Sequence, residues 1–311
     1  MKKVAITGVN GFVGPYVVQE FLAHGYEVVG CGREAVFHPH LPVALANYAV
    51  VDVTDSKKID EWLQQEQPTH IVHLAGIGSP VIAAANPELT EQIHVGGTRH
   101  LLTSASRLST PPTVLVVSSS HVYGRPQYLP IDEKHPLLGE GAYAASRQAQ
   151  EKVSVSFFEK VPIVIARSFN HTGPGQPADY VVPKIVKRVA EIAAGKQKEL
   201  VMGNTDIRRE FLHVRDVARA YRLLLEQGQF GIITNVCRGE SIPLKKIIEY
   251  TTLLANLSDI PVRVDPALIR AGEPQDAVGD AAFLQMLIDW KPKYGYEELL
   301  KDMYTYWQKN I

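Results

Sequence analysis

The stretch "KKVAITGVNGFVG", residues 2–14, decides the fold. Its apolar run is stopped by glycine and reads as a buried strand. Gly8, Gly11 and Gly14 then form G-x-x-G-x-x-G, and "YVVQEFLAHG" (16–25) follows with helical spacing closed by Gly25. Glycines permit a tight turn and let a pyrophosphate approach the backbone, while the helix N-terminus offers unpaired N–H groups and the positive end of its dipole. Alone the triplet says little; between a strand and a helix it reads as a dinucleotide site.

The same rhythm continues outward. "YEVVGCGR" (26–33), "HIVHLAG" (70–76), "TVLVVSSS" (113–120) and "VPIVIARS" (161–168) read as strands. Helical spacing marks "KKIDEWLQQEQ" (57–67), "TEQIHVGGTRHLLTSASRL" (90–108) and "AYAASRQAQEKVSVSFFEK" (142–160) between them. Apolar strands alternating with helices of this length predict a Rossmann-type, doubly wound parallel sheet covered on both faces, an α/β fold. After Gly173 helices at 181–195, 213–227 and 244–257 are joined by short strands such as "GIITNVC" (231–237) and "IPVRVD" (260–265). The expected division is therefore a sheet domain over 1–172 and a smaller α/β cap over 173–311, with later segments returning to the sheet.

The 311 residues carry a net charge of −1, which gives no pull toward nucleic acid or an anionic membrane. No apolar run approaches the roughly 20 residues that span a bilayer. Cys31 and Cys237 are far apart, and neither they nor His38, His40 and His213 have metal-binding spacing, so no metal is expected and a reduced, cytoplasmic setting is. At the end of the second strand an acid would hold a ribose 2′-OH and an arginine a 2′-phosphate. Arg33 stands there, ahead of Glu34, favouring NADP(H) with NAD(H) possible; Asp52, ending the next strand, can accept from an adenine amine.

"GAYAASRQAQE" (141–151) sets Tyr143 one helical turn before Arg147, on the same face. A cation held there favours loss of the phenolic proton, making the pair an acid/base device. "VVSSSHVYG" (116–124) ends a buried strand, and such ends face the ligand crevice.

These pieces, with "TGVNGFVG", "HLAG", "GGT", "YAASR", "ARSFNHTGPGQ", "RREFLHVRDVA", "NVCRGE" and "RAGEPQD", resemble the short-chain dehydrogenase/reductase superfamily in its extended, sugar-nucleotide branch. They run nearly the whole length, and the combination is most similar to the reductases that convert GDP-4-dehydro-6-deoxy-D-mannose to GDP-D-rhamnose, a deoxysugar destined for lipopolysaccharide. The resemblance implies that Ser119 hydrogen-bonds the sugar's C4 oxygen, that Tyr143 delivers its proton, and that residue 147 bonds the nicotinamide ribose. Ser120 and His121 stand where the family's dehydratases have an acid pair; without a carboxylate to protonate the leaving hydroxyl, ketone reduction is the expected chemistry. Cofactor contacts fall by resemblance on Gly8, Asn10, Gly11, Phe12, Val13, Gly14, Arg33, Asp52, Val53, Leu74, Ala75, Gly76, His94, Tyr143 and Arg147. Substrate contacts fall on Ser79, Ser119, His121, Asn170, Val182, Lys184, Arg209, Arg270 and Glu273 of a sugar-nucleotide-binding cap. A homodimer through helices at about 89–108 and 143–160 is implied as well.

Two residues depart from the family pattern: Arg147 replaces its lysine and His94 its asparagine, which bonds a backbone carbonyl and places the lysine through water. Arginine keeps the charge but not the point contact. These departures leave open a cofactor-binding protein without catalysis; transient oxidation and re-reduction at C4, by an epimerase that retains NAD, stays open as the enzyme alternative.

Overall fold

The computed structural model describes residues 2–269 and 273–311, so Arg270 lies outside the described residues. Strands Lys3–Thr7 (β1), Glu27–Gly32 (β2), Asn47–Val50 (β3), His70–His73 (β4), Thr113–Ser119 (β5) and Ile163–Ser168 (β6) join a seventh, Ile232–Val236, in one sheet. The order is Ile232–Val236, β6, β5, β4, β1, β2, β3, and every pairing is parallel. Along β1, Val4 and Ile6 enter one apolar layer and Ala5 the other, which is why the strand reads as a continuous apolar run.

Helix Gly14–Ala23 (α1) and helix Val214–Gln227 cover one face, with Tyr16, Phe21, Tyr221, Leu224 and Trp290 filling the layer. Helix Ser56–Glu66 (α2) and helix Thr98–Ala105 cover the other through Ile59, Trp62, Leu63, Leu101 and Leu102. Asp55 starts α2 by accepting from the Lys57 and Lys58 amides. The cap has its own core, in which helices Val181–Ala193, Leu244–Leu254 and Tyr296–Lys309 enclose Ile185, Val189, Leu200, Ile247 and Leu300.

Two local expectations change. "GIITNVC", expected in the cap, supplies the main sheet's edge strand: it pairs with β6 residue for residue, and helix Val214–Gln227 is its crossover. The helix expected over 90–108 is three pieces, Pro87–Glu91, a wide π turn at Gln92–Gly97, and Thr98–Ala105. Gly97 lets that turn close on the β3 end; a Cβ there would lie 2.7 Å from a Val53 methyl. Among the described residues no helix is long and apolar enough to cross a membrane.

Candidate active site

β1 and β4 are neighbours from which the chain departs to opposite sides, and open parallel sheets place their ligand crevice at such a switch point. The turns leaving the two strands touch. Gly8, at φ +66°, approaches so closely that a Cβ would lie 2.7 Å from the Ala75 Cα; a Cβ on Gly14 would lie 2.0 Å from the Val9 carbonyl oxygen. The Gly11 amide donates to the Gly8 carbonyl at 3.0 Å and the Gly14 amide to the Gly11 carbonyl at 3.1 Å. The amides of Asn10, Phe12 and Val13 find no acceptor among the described residues. Unpaired donors at a helix N-terminus, in a cradle that any Cβ would fill, fit a dinucleotide pyrophosphate.

The surrounding cofactor candidates take distinct places. Leu74, Ala75 and Gly76 leave β4 beside the glycine turn. Asp52 Oδ1 accepts from the Thr54 amide (2.9 Å) and hydroxyl (2.8 Å), leaving Oδ2 for an adenine amine, while Val53 packs under Gly97. The Phe12 ring lies between the imidazoles of His40 and His171, with centroids 6.2 and 6.3 Å away. At the β2 tip Arg33 is exposed and makes no ion pair among the described residues. Glu34 turns back instead: its Oε2 accepts from Asn10 Nδ2 at 3.0 Å, and that bond holds its carboxyl below the usual range. An anion therefore stands fixed beside Arg33 at the strand end.

The catalytic candidates gather at the end of β5. Ser118 is structural, donating to Glu151 Oε1 at 2.5 Å within a buried ion pair to Arg167. Ser119 caps the turn Ser120–Tyr123, its Oγ accepting from the His121 amide (3.3 Å) with His121 Nδ1 3.2 Å away. The exposed His121 ring stands edge-on to Tyr143 at 5.3 Å. Tyr143 lies in the first turn of helix Gly141–Val155, 8 % exposed, and its hydroxyl has no hydrogen bond among the described residues. One turn on, the Arg147 guanidinium carbon lies 5.4 Å from the Tyr143 ring centroid. Its Nη1 donates to the Val117 carbonyl (2.9 Å) and to Gln150 Oε1 (2.8 Å).

His94 departs from the family's asparagine in polarity. Its Nε2 accepts from the Ile77 amide at 2.9 Å, and Nδ1 meets Ser146 Oγ at 2.8 Å, where the serine's own proton goes to the Tyr143 carbonyl. These partners make Nδ1 the protonated nitrogen. Burial first, then the Arg147 charge, pushes the His94 pKa down to about 2, so the ring is neutral. It ties the β4 exit to helix Gly141–Val155.

The substrate candidates are less uniform. Ser79 caps a short helix by accepting from the Ile82 amide at 3.4 Å. Asn170 gives its carbonyl to the Leu212 amide, and its amide group has no partner among the described residues. Arg209 and Glu273, far apart in sequence, pair at 3.1 Å. Lys184 lines a surface groove of about 350 Å³ with Asp179, Lys187, Arg188 and Glu191. The Val182 side chain is buried in the cap core and is not presented to a ligand. Tyr180, absent from the sequence-based set, stands near Gly78 and Tyr143. A Cβ on Gly78 would lie 3.5 Å from its hydroxyl, and burial, followed by the neighbouring Tyr143, pushes its pKa up. The aromatic residue just before a helix whose apolar face reads as cap core gave no separate signal.

Comparison with known proteins identifies the family. The family model described as GDP-mannose 4,6 dehydratase matches residues 5–303. A GDP-6-deoxy-D-mannose reductase of Pseudomonas aeruginosa is 31% identical, over 100% of this chain and 98% of its own. A GDP-mannose 4,6-dehydratase of Vibrio cholerae is 28% identical, over 97% and 92%. The solved structure of RMD from Pseudomonas aeruginosa complexed with NADPH superposes with a TM-score of 0.88 at 28% identity, covering 100% of both chains. The Thermus thermophilus UDP-glucose 4-epimerase complex with NAD shares the fold, with a TM-score of 0.86 at 24% identity over 99% and 100%. The chain belongs to the GDP-mannose 4,6-dehydratase family of extended short-chain dehydrogenase/reductases, NAD(P)-dependent enzymes acting on nucleotide sugars.

Proposed function

We propose that this enzyme reduces the C4 ketone of a nucleotide-linked 4-keto-6-deoxyhexose, converting GDP-4-dehydro-6-deoxy-D-mannose to GDP-D-rhamnose with NADPH. One observation carries the choice of reduction over dehydration. The position beside Ser119 holds Ser120 and an exposed His121, with no carboxylate to protonate a departing hydroxyl. The relative named as a reductase matches the chain end to end, and its organism's RMD was solved with NADPH.

When bound, the reduced nicotinamide supplies hydride to C4. The remaining work belongs to side chains. Ser119 donates to the ketone oxygen, and Tyr143 gives that oxygen its proton. Arg147 bonds the ribose. The amides of Asn10, Phe12 and Val13 take the pyrophosphate and Asp52 the adenine amine. Arg33 receives the 2′-phosphate against the opposing charge of Glu34. In the cap, Asn170, Lys184, Arg209 and Glu273 hold the sugar nucleotide, and Tyr180 closes over the sugar. Exposed Val81, Ile82, Leu89 and Val155, on the helices flanking the site, are the apolar surface of a homodimer.

NADPH oxidation by the wild type with a 4-keto-6-deoxy GDP-sugar, against Tyr143→Phe, tests the proposal. Losing the proton donor costs about 10²–10⁴-fold in turnover. Equal rates sink the catalytic assignment, and NAD that stays bound through gel filtration with no net NADPH use points to epimerisation instead.

A further inference from the structure

Arg147 ends a line of buried polar side chains. Its Nη1 is fixed by Gln150 Oε1, and Gln150 is fully buried. Gln150 Nε2 donates to Thr98 Oγ1 (2.9 Å), Thr98 meets His73 Nε2 (3.0 Å), and His73 Nδ1 meets Thr7 Oγ1 (2.7 Å). Thr7 Oγ1 accepts from the Ala75 amide at 3.2 Å. The line thus runs from the catalytic helix, beneath the sheet ends, to both turns that flank the dinucleotide crevice. Burial pushes the His73 pKa down to about 3, so Arg147 is the one charged member of this line.

We infer that Gln150 is a positioning residue, which anchors one guanidinium nitrogen of Arg147 in the fold and leaves the other directed at the nicotinamide ribose. The inference rests on the assignment of Arg147 to the ribose made above. Three observations support it. Nη1 is saturated by two interior acceptors, Val117 O and Gln150 Oε1. Nη2 lies on the other side, against the β4 exit, where a Cβ on Gly76 would come within 2.9 Å of it. Guanidinium is a rigid planar fork, so fixing one nitrogen fixes the other. An ammonium gathers its three donors on one nitrogen and cannot span the separation between the two guanidinium nitrogens. Arg147 and Gln150 therefore work as a unit in the place of one lysine.

The test is a double-mutant cycle read first by binding. NADPH fluorescence titrations give Kd in the Tyr143→Phe background, free of turnover, for Gln150→Leu, Arg147→Lys and the pair. Gln150→Leu removes a hydrogen bond to a charged group and should weaken NADPH about tenfold or more. In the Arg147→Lys background the same change should cost little, because there is no fork to hold. A merely structural glutamine would cost the same in both backgrounds, and that result overturns the inference. If Gln150→Leu does not fold, Gln150→Glu replaces it: it keeps the acceptor, loses the donor to Thr98, and should bind NADPH more tightly than Arg147→Lys does. Equal affinity of Arg147→Lys and its parent also overturns it. Failure of the proposed reduction appears separately, as undiminished turnover by Tyr143→Phe.

Discussion

Acid should loosen this protein through two histidines that the fold keeps neutral. His94 and His73 are buried, with pKa values pushed down to about 2 and about 3, by burial first and then by the Arg147 charge. In the unfolded chain a histidine titrates near 6.5. Between the folded and unfolded values only the unfolded chain takes up the proton, so stability falls as pH falls through about 6.5. At pH 5, about 1.5 units below the unfolded pKa and at about 1.4 kcal/mol per unit, each histidine costs about 2 kcal/mol. Glu210 acts in the opposite sense. Burial raises its pKa to about 7, so its contribution grows more favourable on acidification and the net pH curve mixes the two. A single substitution separates them. His94→Gln can still accept from the Ile77 amide and donate to Ser146, but it does not titrate. Urea unfolding of both proteins at pH 7.5 and pH 5 should show the wild type losing about 2 kcal/mol more than the variant. Identical losses would refute a neutral, desolvated His94, since every other group cancels in the comparison.

Three further outcomes follow from particular contacts. Glu151→Ala strands the Arg167 guanidinium, 2.7 Å from its partner in a buried pair, and removes the acceptor of Ser118; urea unfolding should show about 3–5 kcal/mol lost, and a loss under about 1 kcal/mol would mean that the charge finds water. Gly14→Ala drives a methyl to 2.0 Å from the Val9 carbonyl oxygen, so fluorescence titration should find no saturable NADPH binding; retained affinity would show that the turn can move aside. Glu34→Gln removes the anion beside Arg33 and should shift the NADPH-to-NADH affinity ratio several-fold toward NADPH, whereas an unchanged ratio would place Glu34 out of reach of the 2′-phosphate.

The features legible in the sequence were those written into contiguous residues. A glycine triplet between an apolar strand and a helix has one structural meaning, and a tyrosine and a cation one turn apart share a face wherever the helix sits. What depended on distant partners was not legible. Gln150 in "SRQAQEK" reads as an ordinary helix position until the fold brings Thr98 and Arg147 onto it. Glu34 reads as a loop charge until Asn10, 24 residues earlier, turns it back. "GIITNVC" has the length and composition of either a cap strand or a sheet edge, and only the preceding helix packing on α1 decides between them.

The wide turn at Gln92–Gly97 carries a consequence for tolerance to insertion and deletion. Interior positions there step by four, from His94 to Thr98 to Leu102, and a regular helix slips about 40° at each such step. The widened turn absorbs that slip, so the imidazole and the residues after it point inward together. Excising a single residue there would give a more regular helix yet swing everything upstream by about 100°, carrying the Ser79-capped segment off the crevice. Regularity gained locally would be lost in the alignment of the two halves of the site.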